Sequence, residues 1–252
     1  MSFIFVKLRG MDDLFVRSLK LDKGQDVKTY PFSIPAVRDI ERVKFSVPVT
    51  FLVGENGSGK STIVETVAVA AGFNAEGGTK NYNFSTENST SKLADSATLI
   101  RSAKREKYGY ILRAESFYTT ANYAERGTFG PFGPIPILFG GKHIHEQSHG
   151  EAFLSIVNSF RPGLFIFDEP ESALSPQRIL QLMSAINELE KQGSQFIIAT
   201  HSPILLAYPG AKIYQLSQTG VDQVEYNDIE HVKMTRDFLN SPAIFINKLF
   251  RK

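Results

Sequence analysis

"VTFLVGENGSGKSTIVETVAVAAGF", residues 49 to 73, is the stretch on which the fold turns. Its first five residues are apolar or β-branched and read as the end of a buried strand, and "KSTIVETVAVAAGF" reads as a helix. Between them Gly54 to Ser61 matches G-x-x-x-x-G-K-[ST] in full, in the strand-to-helix context that the motif requires. Glycines at 54, 57 and 59 allow backbone N–H groups of Gly54, Glu55, Asn56, Gly57, Ser58 and Gly59 to curl around phosphate oxygens, and the helix N-terminus adds partial positive charge. Lys60 can reach the β- and γ-phosphates, Ser61 offers a hydroxyl to Mg²⁺, and Thr62 follows in the first helical turn. A nucleoside triphosphate with Mg²⁺ is the ligand this pattern calls for.

Working outward, "LFIFDEP" carries Asp168 to the carboxyl end of a buried strand, where open α/β sheets bind ligands. Asp168 is expected at the Mg²⁺ with Ser61, and Glu169, one residue on, is expected to orient or deprotonate an attacking water. "QFIIATHSP" places His201 just past the neighbouring strand, within approach of a γ-phosphate. Strand, helix, strand, helix, strand along the chain implies a mostly parallel sheet with crossover helices. Residues 43 to 53 read as one strand, 3 to 8 and 108 to 117 as others, "KIYQL" and "QVEY" as two short ones, and a final helix is expected near 235 to 250. "PQRILQLMSAINELEKQG" puts Ile179, Leu182, Met183, Ile186 and Leu189 on one helical face.

"QSHGEAFLSI", residues 147 to 156, opens another helix. Ser148 is a good N-cap and Glu151 stands three residues later, as a capping box requires. Residues 74 to 107 are polar with a charge run, "RSAKREK", that reads as a solvated face; 126 to 141 is rich in glycine and proline, so regular structure is not expected there. About 74 to 147 therefore reads as an insertion or lid within a single domain spanning 1 to 252.

In bulk the chain has 252 residues, 42% hydrophobic and 21% charged, with 28 basic and 26 acidic side chains. This composition is that of a globular α/β protein. The near-balanced charge argues against a dedicated polyanion-binding surface. With no cysteine, disulfides and thiolate zinc sites are excluded. No window approaches a membrane span and the N-terminus reads as a strand, so membrane insertion is not expected and a cytoplasmic location is.

The phosphate loop, "SHGE", "DEP" and "THSP", in this order, resemble the ATP-binding cassette ATPases. Ser148-His149-Gly150-Glu151 then resembles their signature motif, and glutamate at its last position is more similar to the soluble SMC and RecF branch than to transporters. Together with "YPFSIPAVR", "LRAESF" and "DEPESALSPQR", the chain resembles a family of stand-alone bacterial predicted ATPases of cassette type. The resemblance implies a P-loop NTPase fold: a cassette-like head with an N-terminal antiparallel β region and a helical or irregular insertion. It implies ATP hydrolysis, and a head-to-tail homodimer in which Ser148 and Gly150 of one subunit meet the γ-phosphate held by the other. A switch in DNA maintenance or defence is the expected role, with nucleic acid and an unidentified protein both open as partners; the energising subunit of a transporter is the alternative. The resemblance departs at two places: Ser175 stands where many cassette ATPases carry an aspartate, and no glutamine occupies the usual position near "RAESF", leaving Glu115 or Ser116 to substitute. His143 and His145, at alternate positions of "KHIHEQSH", could share a metal ion, but the signature reading accounts for that segment.

Overall fold

The computed structural model describes residues 13–22, 28–74, 77–78, 92–113 and 148–250. Six strands form the central sheet, in the order β5 (Gly109–Arg113), β6 (Leu164–Asp168), β7 (Gln195–Ala199), β3 (Val49–Gly54), β8 (Lys212–Ser217) and β9 (Gly220–Val224). All neighbours run parallel except the β8–β9 hairpin. β6 and β7 are buried at every position because both faces of the sheet are covered, which is why they read as unbroken apolar runs.

The period of two sorts these strands between two cores. Phe51, Phe165, Phe167, Phe196 and Ile198 face helices α4 (His149–Asn158) and α5 (Pro176–Lys191), contributing to one core with Phe153, Val157, Leu182 and Ile186. There Phe165 stacks on Phe160 and on Phe196, with ring centroids 4.9 and 4.8 Å apart. Leu52, Leu164, Ile166 and Ile197 face the other way, against helix α2 (Lys60–Ala70) and a second, antiparallel sheet of order β2 (Arg42–Lys44), β1 (Val16–Leu21) and β4 (Ala97–Arg101). Truncating any of the central phenylalanines to alanine would cost about 3–5 kcal/mol.

A buried glutamine joins the two sheets. Gln195, at the start of β7, accepts from the backbone N–H of Phe15 and of Val16 at 2.9 Å each, and its amide donates to the Val16 carbonyl at 2.8 Å. Three bonds leave that buried amide satisfied and fix the antiparallel sheet over the parallel one.

The structure corrects two expectations and adds a strand. Residues 43 to 53 form two strands of different sheets, not one: Pro48 lacks an N–H to donate, so the chain leaves β2 and re-enters as β3, and the Pro48 carbonyl accepts from Phe196 N–H at 2.7 Å. Within 74 to 107 lie a short helix α3 (Lys92–Asp95) and a strand not read from the sequence, β4, which pairs with β1 from Ala97 to Arg101. The terminal helix is two helices, α7 (Glu230–Asn240) and α8 (Pro242–Phe250). Pro242 forces the break by pushing Ser241 out of the helical region, to φ −149°. A short helix α1 (Pro35–Arg38) and a one-turn helix α6 (Pro203–Leu206) complete the regular elements used below. The readings at 3 to 8, 114 to 117, 126 to 141, His143, His145, Glu115 and Ser116 lie outside the described residues. Of the charge run at 104 to 107, Lys104, Arg105 and Lys107 lie at the surface, Lys104 over the Phe15 ring at 4.6 Å and donating to the Asp13 carbonyl, but the Glu106 side chain is buried against Arg101.

Candidate active site at the carboxyl edge of the sheet

β3 delivers Gly54 to the sheet's carboxyl edge, and the chain turns back into α2 at Lys60. The turn needs glycine for two different reasons. A Cβ on Gly54 would stand 2.6 Å from the Leu216 carbonyl of the adjacent strand, and Gly59 caps the helix at φ +98°. Lys60 is 4% exposed. Its ammonium donates to the carbonyls of Gly54 at 2.9 Å and Glu55 at 3.0 Å, so the side chain lies back along the loop and holds it curled. Burial pulls the Lys60 pKa down from its ordinary value, and the carboxylates of Glu169, Asp168 and Glu171 oppose that shift.

Asp168 ends β6 beside this loop. The Ser61 hydroxyl donates to Asp168 Oδ1 at 3.1 Å, while Arg113, its register partner on β5, brings Nε to 3.7 Å from Oδ2. Arg113 also reaches Glu65 on α2, with Nη1 to Oε2 at 3.3 Å. A hydroxyl and a carboxylate oxygen in contact are the hard donors that Mg²⁺ takes, so this pair fits the ion.

Glu169 has φ +49°, a left-handed conformation unusual for a residue with a Cβ. Its N–H donates to the Ala199 carbonyl at 2.9 Å, and its own carbonyl accepts from Ser172 N–H and hydroxyl. The strained backbone thus stays anchored to β7 while the carboxylate projects to solvent, 41% exposed. His201 lies just beyond β7, with Nε2 at 3.5 Å from Glu169 Oε1. Its backbone N–H donates to Glu171 Oε1. His201 Nε2 and Glu171 Oε2 are both buried atoms without a hydrogen-bond partner, a polar lining that an incoming ligand or water would satisfy. Lys60, Ser61, Asp168, Glu169 and His201, read from three separate segments of sequence, are thereby brought together.

Sequence reading missed several residues here. Tyr30 is an exposed ring whose hydroxyl lies 3.5 Å from Thr62 Oγ1, a flat apolar surface beside the first turn of α2. His231 opens α7 with its ring centroid 6.3 Å from that of His201, and burial together with the charges of His201 and Lys60 lowers its pKa. His231 and Ser58, each with a buried side-chain atom lacking a partner, line a cavity of about 570 Å³ along the outer side of the loop. Arg113, Glu171 and Arg178 complete the group. Tyr30 opens "YPFSIPAVR", Arg113 lies in "LRAESF", and Glu171 and Arg178 lie in "DEPESALSPQR", yet the sequence pattern assigned none of them a role; His231 lies in no motif.

Ser148 and Gly150 lie at the other helix start. Ser148 is the N-cap of α4, exposed, and its N–H donates to Glu151 Oε2 at 3.0 Å, one arm of the expected capping box. Arg178 of α5 donates from Nη1 to Ser148 Oγ and from Nη2 to Glu151 Oε1, both at 3.1 Å. The backbone and hydroxyl of Ser148, then Arg178, hold the Glu151 pKa below the usual carboxylate range. The hydrogen bonds of Ser148 thus go to its own helix and to α5, not to the phosphate loop. Ser175, at the aspartate position, caps α5 with backbone in the extended region.

Two family models match the chain. One described as "AAA domain" matches residues 26–144, and one described as "AAA domain, putative AbiEii toxin, Type IV TA system" matches 152–207. Both models are of AAA domains, and the chain is similar to ATP-binding-cassette-type P-loop ATPases. Among its relatives, a putative ABC transporter ATP-binding protein of Methanothermobacter thermautotrophicus is 24% identical, over 86% of this chain and 84% of that protein. The energy-coupling factor transporter ATP-binding protein EcfA2 of Methanospirillum hungatei is also 24% identical, over 85% of this chain, but the match spans only 58% of that protein's length. Among solved structures, MJ1267, an ATP-binding cassette of an ABC transporter, superposes with a TM-score of 0.51 at 16% identity, covering 88% of this chain and 99% of the other. That likeness concerns the fold. Among the described residues, no helix of the chain is long and apolar enough to cross a membrane, and no cluster of three metal-ligating side chains occurs.

Proposed function

We propose that this ATPase binds Mg²⁺-ATP on the loop from Gly54 to Thr62 and hydrolyses it in a site that a second copy completes with Ser148 and Gly150. The convergence of Ser61 on Asp168 and of His201 on Glu169 at the rim of one phosphate loop carries this reading. Lys60 exchanges its loop carbonyls for phosphate oxygens; Ser61 and Asp168 hold Mg²⁺, which offsets charge on the phosphates. Glu169 receives the proton of the attacking water or orients it, and His201, with one imidazole nitrogen facing Glu169, supports the γ-phosphate. Tyr30 offers its ring to the adenine. Glu169 suits the water because its carboxylate is part-exposed and faces His201, while Asp168 is buried and already paired with Ser61 and Arg113.

The second copy enters because Ser148 is exposed and tied away from its own loop. ATP that binds only the closed pair drives association by mass action, so the nucleotide works as an assembly switch. Its output acts on nucleic acid or on a protein, in DNA maintenance or defence, within the cytoplasm. The deciding experiment is sedimentation of Glu169→Gln with and without Mg²⁺-ATP, alongside wild-type ATPase assays with DNA, RNA and membranes added. A Glu169→Gln protein that stays monomeric at high concentration with ATP would sink the shared site.

A second reading, the energising subunit of a membrane transporter, is favoured by the transporter names of the relatives. Co-purification with an integral membrane protein would establish it.

A further inference from the structure

A side chain from another helix holds the first turn of α4. Arg178 lies in the first turn of α5, and its guanidinium divides its donors between Ser148 Oγ and Glu151 Oε1 at 3.1 Å each. Gly150 lies under it: a Cβ there would come within 2.7 Å of Arg178 Nη1, 2.8 Å of Arg178 Cδ and 3.2 Å of the Ala173 carbonyl. The three features of "SHGE" thereby acquire one explanation. Serine accepts from one arm of the fork, glycine leaves room for it, and the terminal carboxylate, rather than a neutral amide, takes the other arm as a charge-assisted bond. A planar fork can serve two acceptors at once; an ammonium cannot do so with the same geometry.

We infer that Arg178 is the positioning residue of the signature segment, fixing the Ser148 hydroxyl at the mouth of α4 so that it can meet the nucleotide held by a second copy. The inference rests on the composite-site reading proposed above. Arg178 acts through Ser148, so the two should be energetically coupled. Ala173, whose carbonyl abuts Gly150, belongs to the segment that leads from Glu169 to α5, so the fork also ties the signature start to the chain leaving Glu169.

The test is a double-mutant cycle in the Glu169→Gln background, reading the dimer dissociation constant by sedimentation at saturating Mg²⁺-ATP. Ser148→Ala and Arg178→Ala should each weaken the dimer about 10-fold or more, the size of a lost hydrogen bond to a charged group, and the combination should be no weaker than the worse single variant. Arg178→Lys should recover only part of the loss. Binding of a fluorescent ATP analogue to the monomer should change little in every variant, and the lost cap should lower the melting temperature by no more than a few degrees, so that each variant stays folded under assay and positioning is separated from unfolding. If Arg178→Ala leaves the dimer constant within about two-fold, or if the Ser148 and Arg178 losses multiply, Arg178 does not position Ser148, and the composite site stands without it. If Glu169→Gln itself fails to dimerise with ATP, the composite site falls and this inference with it.

Discussion

The phosphate loop and the start of α4 carry comparable sequence signals, yet the structure treats them in opposite ways. At the loop, Lys60 is buried and satisfied by the chain's own carbonyls, Ser61 rests on Asp168, and Glu169 and His201 stand face to face. At α4, Ser148 is exposed, pointed by Arg178 and Glu151, with no bond to the loop. A group that the fold has buried among its partners can act within one subunit. A group that the fold orients but leaves in solvent is set up for something that arrives. The difference separates the part of the site that is assembled by folding from the part that association would assemble.

The largest effect should break the first of these regions. Glu169→Gln keeps size and hydrogen bonding but cannot take a proton, so turnover should fall by about 10²–10⁴-fold while Mg²⁺-ATP still binds. Steady-state ATPase assays with a binding titration measure both. Turnover within a few-fold of wild type would remove Glu169 as the group that handles water. His201→Ala should follow, at about 10²-fold, the scale of a lost donor to developing charge.

Lys60→Ala tests whether the burial of that lysine serves the ligand. Charge-assisted bonds of about 1.5–3 kcal/mol each are lost, so ATP affinity should fall about 10²-fold or more in calorimetry, with far-UV circular dichroism unchanged. Wild-type binding by this variant would remove the phosphate-loop assignment.

The contrast also explains what was legible in sequence. The motifs at 54–61 and 168–169, and the histidine at 201, sit at ends of strands whose apolar runs announce burial, so both the fold and these positions follow from local pattern. Tyr30, Arg113, Glu171, Arg178 and His231 reach the site through tertiary contact, from a turn, a strand and helices whose own pattern reports no role for them. Arg178 is the sharpest case: within "PQRILQLM" it reads as one polar residue on a helix's outer face, and only the approach of α4 gives it acceptors. β4 was hidden for a related reason, because an edge strand half exposed on both faces lacks the apolar run that marks β6 or β7. The break at Pro242 was not read, although a proline inside a helical pattern is itself the signal for one.

The second region is tested by crowding it. Ser148→Arg, added to Glu169→Gln, puts bulk and charge beside Arg178 at the mouth of α4. ATP-driven dimerisation should then disappear in sedimentation at concentrations where the single variant is dimeric, while the monomer still binds ATP. If Ser148 is a helix cap alone, the change should cost about 0.5–2 kcal/mol of stability and leave the ATP-driven shift in place. The two outcomes differ in kind, since one appears in assembly and the other in melting.

The smallest effect lies where the C-terminal helices touch the first region. His231 opens α7 beside His201, and burial, then the charges of His201 and Lys60, lower its pKa, while a backbone contact with His201 opposes them. A base whose folded pKa is lowered binds fewer protons in the folded state than in the unfolded one between those two values. Stability is therefore full above the ordinary histidine pKa of about 6.5 and declines as pH falls through it. Because His231 is only half buried, solvent screens much of the penalty. Melting temperature should accordingly fall by only about 2 °C between pH 7.5 and pH 5.5 beyond the decline of His231→Gln, which has no charge to gain. The comparison belongs in nucleotide-free protein, where Lys60 keeps its loop carbonyls as partners. Identical pH profiles for the two proteins would mean that His231 titrates as it does in the unfolded chain, and that α7 does not feel the charge of the phosphate loop.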